Sequence, residues 1–157
     1  MPQQRAKVLF ICLGNACRSP MAEAIARKDA IEEIEASSAG LAPLGFVAQM
    51  TSETLIRNGY AAEGLESKPI SVQAWRAADL IINMSGRPKE HAFRAVPHSA
   101  NIEDWEIDDP YGEASKYQGT YEAVRERVHQ LAERLRKETA ARAKKEAGPS
   151  AIPSSEN

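Results

Sequence analysis

Two cysteines, an arginine and two hydroxyl-capable or amide side chains fall within eight residues of one another, Cys12-Leu13-Gly14-Asn15-Ala16-Cys17-Arg18-Ser19. Short apolar sequence precedes them and helix-forming sequence follows. A loop that runs from a buried strand into a helix presents unpaired backbone N–H groups and the positive end of the helix dipole. Gly14 and Asn15 tolerate the backbone angles that curl such a loop into an anion-binding nest. Arg18 adds a forked guanidinium suited to a tetrahedral oxyanion. The same field favours a thiolate at Cys12. One segment therefore offers both a nucleophile and a cradle for a phosphate-like group, with residues 13–19 as the cradle. A lone cysteine in an apolar strand is usually an inert core residue. The further presence of Gly14, Asn15, Cys17, Arg18 and Pro20, between a strand and a helix, makes chance a poor explanation.

The surrounding elements must hold that loop. Residues 7–13 (KVLFICL) read as a buried strand of the parallel-sheet kind. Residues 20–30 read as a helix, with Ser19 as its cap and Pro20 in its first turn. Residues 35–39 read as a second strand ending at Gly40. A loop spans 41–50. A helix opens at Thr51-Ser52-Glu53 and stops at Asn58-Gly59. Residues 71–78 read as helix, 79–84 (DLIINM) as a third buried strand, 85–88 as a turn and 89–92 as a helical turn. Residues 101–112 read as an acidic loop. A last helix covers 117–142, with Tyr121, Val124, Val128, Leu131 and Leu135 at helical spacing. The alternation argues one α/β domain: a doubly wound parallel sheet of about four strands, helices on both faces, and the anion loop after the first strand. In such sheets ligands sit at the carboxyl ends of the strands. The domain is expected over residues 1–142, with 143–157 as a flexible tail whose end, GPSAIPSSEN, has no periodicity.

The chain has 157 residues, 43% hydrophobic and 27% charged, with a formal net charge of -2. That composition suits a globular domain and argues against a broad nucleic-acid footprint. The longest apolar run is far short of the roughly 18 residues of a membrane span. Two cysteines exclude a disulfide scaffold and favour a cytoplasmic setting. With so few cysteines, and with His91, His98 and His129 scattered, no zinc spacing exists, and neither metal nor cofactor is expected.

The segment VLFICLGNACRSPMAEAIAR closely resembles the N-terminal signature of the low-molecular-weight protein tyrosine phosphatases, which share their fold with thioredoxin-coupled arsenate reductases. Ser38-Ala39-Gly40, residues 79–84 and Asp109-Pro110-Tyr111 resemble further family segments. The resemblance implies that Cys12 attacks phosphorus to form a phosphocysteine. It implies that Arg18 and the loop N–H groups hold the oxygens, that Ser19 supports the thiolate, and that Asn15 holds the loop. Asp109 is implied as the acid that protonates the leaving phenolate and then activates water, with Asp108 as its rival. Tyr111 resembles the aromatic wall of the substrate pocket. Phe46 is a candidate for the opposite wall, or else a loop-anchoring residue, and Trp105 is expected to pack beneath the acid loop.

The implied activity is hydrolysis of phosphotyrosine or a related phosphomonoester on a protein or small aryl substrate. The alternatives are arsenate reduction with an external small thiol, and phosphoarginine hydrolysis. Cys12 is expected to be redox-sensitive, with Cys17 able to trap its sulfenic acid. Two departures stand out. Residues 64–71 (GLESKPIS) lack the histidine that many family members use to support the loop asparagine, and SKPIS is closer to arsenate-reductase sequences. Ala16 is neither the bulky residue common in tyrosine phosphatases nor the threonine of the phosphoarginine branch.

Overall fold

A computed structural model describes residues 4–93 and 101–147. Its frame is a four-stranded sheet made of β1 (Ala6–Cys12), β2 (Ile34–Gly40), β3 (Leu80–Asn83) and β4 (Asn101–Asp104), in the order β2-β1-β3-β4. Every pairing is parallel: Cys12 lies opposite Gly40, and Ile11 opposite Asn83. The helices are α1 (Arg18–Asp29), α2 (Gln49–Arg57), α3 (Val72–Ala77), α4 (Lys89–Ala92) and α5 (Tyr117–Ala147).

Strand β1 is central, and its alternation divides the core. Val8, Phe10 and Cys12 face the layer of α1, α2 and α5, together with Met21, Ile25, Leu55, Val124 and Val128. Leu9 and Ile11 face the other layer, with Trp75, Ile81, Phe93 and Ile102. Burial on both faces explains why β1 reads as an unbroken apolar run rather than an alternating one. Phe10 is wholly buried, with its ring 5.9 Å from that of Trp105. Burying a side chain of this size contributes about 1.5–3 kcal/mol. The chain leaves β1 towards β2 on one side and returns to β3 on the other, so the carboxyl end of β1 is the switch point of the sheet.

Several boundaries depart from the sequence reading. Helix α1 begins at Arg18 with Cys17 as its flanking residue, so Ser19 lies inside the first turn and does not cap it. Pro20 is still in that turn, where its missing N–H costs nothing. Residues 101–104, read as loop, form the fourth strand. Their sequence, NIED, has one buried apolar residue, Ile102, and the segment is a strand because it pairs with β3 at the sheet edge. Ser71 does cap α3, accepting a bond from the Ala74 N–H. Asn58 and Gly59 end α2 as read, with Gly59 at φ +92°. Helix α5 buries Tyr121, Val124, Val128 and Leu131 as expected but continues to Ala147. His98 and residues 148–157 lie outside the described residues.

Candidate active site

The anion loop occupies the switch point. Cys12 ends β1 and is buried, and α1 starts six residues later. Asn15 has φ +48°, a left-handed conformation that asparagine tolerates better than most residues. Gly40, opposite Cys12, is required by proximity: a Cβ there would stand 2.9 Å from Asn15 Cβ and 3.0 Å from the Leu13 carbonyl oxygen. The end of β2 thus packs directly under the loop.

Asn15 is the hub of a buried hydrogen-bond network. Its Oδ1 accepts from the Lys68 N–H at 2.9 Å, which fixes the orientation of the amide. Its Nδ2 then donates to Ser19 Oγ at 2.7 Å and to Ser38 Oγ at 3.1 Å. Ser38 donates onward to the buried Glu23, which is paired with Arg27. Ser19 Oγ, an acceptor from Asn15, also lies 3.0 Å from Cys12 Sγ, within reach to donate its hydrogen to a thiolate there. The Lys68 N–H and Ser38, itself bonded to Glu23, therefore hold Asn15 in place, and residues 64–71 bring no histidine to it. The Ser38-Ala39-Gly40 motif was a sequence signal for part of this network. Nothing in the sequence signalled the Lys68 N–H.

Arg18 is buried at 4% exposure. Its Nη1 donates to the carbonyls of Met84 at 2.5 Å and Ile107 at 3.2 Å, so β3 and the acid loop lock the guanidinium plane. Its Nη2 lies 3.5 Å from Asp109 Oδ2, and among the described residues its buried Nε has no hydrogen-bond partner. An unpaired buried N–H is costly. Here the unpaired donor is Nε, next to the Nη2 that faces Asp109, and the two form the fork that a tetrahedral oxyanion accepts.

Arg18 is among the residues lining a cavity of about 260 Å³, with Cys12, the loop residues Leu13, Gly14, Ala16 and Cys17, and Ala42, Leu44, Asp109 and Tyr111. The sequence candidates Cys12, Arg18, Asp109 and Tyr111 are thus brought to one cavity. Asp109 is half exposed at its mouth, and its Oδ1 accepts from the Tyr111 N–H at 3.1 Å. Asp108 is exposed and does not line it. Phe46 is 52% exposed and is not part of the lining either; Leu44, from the same loop, lines the pocket instead. Sequence alone could not choose between two apolar residues two positions apart on an irregular loop. Trp105 is a core residue, with Phe10 beside its ring and the Arg127 guanidinium 5.7 Å from its centroid. Burial pushes the Cys17 thiol up, and its sulfur lies 3.4 Å from the Tyr117 hydroxyl, itself raised by burial.

Comparison with known proteins bears on the family and the fold. The family model described as low molecular weight phosphotyrosine protein phosphatase matches residues 7–141. The low molecular weight protein-tyrosine-phosphatase YfkJ of Bacillus subtilis is 33% identical over 137 residues, covering 74% of this chain and 85% of that protein. Its crystal structure superposes with a TM-score of 0.75 at 28% identity, covering 88% of this chain and 99% of that one. A protein-arginine-phosphatase of the same organism is 28% identical, covering 83% of this chain and 97% of that protein. An arsenate reductase in its phosphate-binding state superposes with a TM-score of 0.70 at 27% identity, covering 83% of this chain and 98% of that one.

Proposed function

We propose, since the chain belongs to the low molecular weight phosphotyrosine protein phosphatase family, that it hydrolyses aryl phosphate monoesters, phosphotyrosine above all, through a phosphocysteine. The observation that carries this reading is the meeting of Cys12, Arg18 and Asp109 in one cavity whose remaining walls, Leu44, Ala42, Ala16 and Tyr111, are mostly apolar.

The chemistry follows from these groups. The phosphoryl oxygens sit on the loop N–H groups and the Arg18 fork, which offset the charge that develops on them without any metal. Cys12 Sγ attacks phosphorus, forming an S–P bond as the P–O bond to the aryl group breaks. Asp109 gives its proton to the departing phenolate, and the product phenol leaves. The Asp109 carboxylate then takes a proton from water, whose oxygen attacks phosphorus; the S–P bond breaks, returning the Cys12 thiolate and inorganic phosphate. The apolar walls and the single carboxylate suit a flat aromatic leaving group. At position 16, Ala16 offers a phosphorylated guanidinium no hydroxyl. A cytoplasmic setting suits a nucleophile that must remain a free thiol.

The test is turnover measured side by side on a phosphotyrosine peptide, a phosphoarginine peptide, and arsenate with a small thiol. Phosphate release from the phosphotyrosine peptide, unaffected by chelator and abolished in Cys12→Ser, is expected. An enzyme that released no phosphate from any aryl ester but reduced arsenate with thiol would overturn the reading.

A further inference from the structure

The backbone of the anion loop is held from behind. Leu41 N–H donates to the Cys12 carbonyl at 3.1 Å, Ala42 to Leu13 at 2.8 Å, Leu44 to Gly14 at 3.0 Å and Ala48 to Ala16 at 3.1 Å. The segment from Leu41 to Ala48 therefore runs along the loop and takes its carbonyls one after another. Two side-chain hydroxyls join it. Thr51 Oγ1 donates to the Ala16 carbonyl at 2.7 Å, and Ser67 Oγ donates to the Gly14 carbonyl at 2.9 Å. Ser67 Oγ also accepts from the Gly45 N–H at 3.0 Å, beside the wall residue Leu44.

No described peptide is cis. In a trans peptide the N–H points opposite to the preceding carbonyl. Carbonyls aimed at the wrapping segment thus turn the N–H groups of Leu13, Gly14, Asn15 and Cys17 the other way. Among the described residues, no protein acceptor takes a backbone N–H of residues 13–18. Unpaired backbone donors on a loop that lines the same cavity as Arg18 are what an oxyanion needs.

We propose that Thr51 and Ser67 are positioning residues for oxyanion binding. Thr51 holds the Ala16–Cys17 peptide plane, and Ser67 holds the Gly14–Asn15 plane, so that the Cys17 and Asn15 N–H groups face the bound oxygens. Through Gly45, Ser67 also ties the cradle to the pocket wall that carries Leu44. The inference rests on the phosphatase reading of the same cavity and adds to it which residues outside the loop set its geometry.

The experiment compares the full chain with Thr51→Val, Thr51→Ser and Ser67→Ala. It reads competitive inhibition by inorganic phosphate, kcat and KM on an aryl phosphate, and Tm. Each deletion of a hydroxyl should weaken phosphate inhibition and lower kcat by about tenfold, the scale of one misaligned hydrogen bond to a charged group, with a smaller change in KM. Thr51→Ser should restore both, because it returns the donor. A variant of either residue that lowers Tm while phosphate inhibition and kcat stay at wild-type values would overturn the proposal. Thr51 is fully buried, so should Thr51→Val not fold, half-buried Ser67 decides the matter through Ser67→Ala alone. Wild type that neither binds phosphate nor hydrolyses aryl esters would sink the phosphatase reading itself; an active wild type with unaltered variants would sink only this inference.

Discussion

At the residue scale, the division of labour between neighbouring carboxylates is the sharpest consequence of the geometry. Asp109 and Asp108 are adjacent in sequence, yet only Asp109 borders the cavity and reaches Arg18. Asp108 instead presents its carbonyl to the Thr120 hydroxyl at 3.4 Å. A general acid matters most where the leaving group is most basic. Asp109→Ala should therefore lose about 10²-fold or more in kcat/KM on phenyl phosphate or a phosphotyrosine peptide, and markedly less on a nitrophenyl ester. Asp108→Ala should stay within a few-fold of wild type on all of them. Steady-state rates across a series of phenols of graded pKa check this, and equal sensitivity of both variants to the leaving group would remove Asp109 from the acid role.

The elements are joined behind the site by a polar cluster that sequence periodicity does not show. Asp29 at the end of α1 accepts from the Tyr60 hydroxyl at 2.5 Å, just past α2, and faces His129 Nε2 on α5 at 2.7 Å. Burial alone would raise the Asp29 carboxyl, but hydrogen bonds from Tyr60 and His129 and the nearby positive charge of His129 and Arg125 outweigh it, and its pKa is lowered. A carboxyl whose folded pKa is below its unfolded one stabilises the fold above the unfolded value, about 3.9, and loses that contribution as pH falls through the folded value. Asp29→Asn should thus cost on the order of 1–2 kcal/mol near pH 6. Urea unfolding at stepped pH should show the gap between variant and wild type closing as pH drops below about 4. A gap that widened towards acid would show that another group carries the linkage.

For the molecule as a whole, the boundary of the working domain is open to test at α5. Its last buried residue is Ala132, with Leu135 partly buried beyond it. The turns that follow are sustained by helix-forming Ala, Lys, Arg and Glu and by exposed pairs such as Lys137–Glu133 at 3.5 Å. Such surface pairs contribute little to folding. A chain stopped after Arg142 should keep kcat/KM within twofold of the full protein and should melt within a few degrees of it. Loss of activity on truncation would place part of the function in residues 143–157. Among the described residues, no helix is long and apolar enough to cross a membrane.

The loop and the grouping of its residues were legible in the sequence because they are local. Cys12, Asn15, Arg18 and Ser19 belong to one strand-loop-helix unit, and the residue types at fixed spacing nearly dictate the backbone that joins them. The core of β1 and the buried stripe of α5 were legible for the same reason, since period and apolarity act within a few residues. What the tertiary structure decided involves partners distant in the chain. Strand β4 exists because β3 offers it a ladder, not because NIED prefers to be extended. Leu44 rather than Phe46 borders the pocket because its own N–H is tied to the Gly14 carbonyl. Ser19 could not be told from a helix cap until α1 was seen to start at Arg18, and the group that fixes the Asn15 amide is a backbone N–H, that of Lys68, which every residue but proline carries and no sequence pattern marks. Side-chain chemistry is written in the sequence, whereas the pairing of generic backbone groups behind the loop, across 29 to 53 positions, depends on how the whole chain closes.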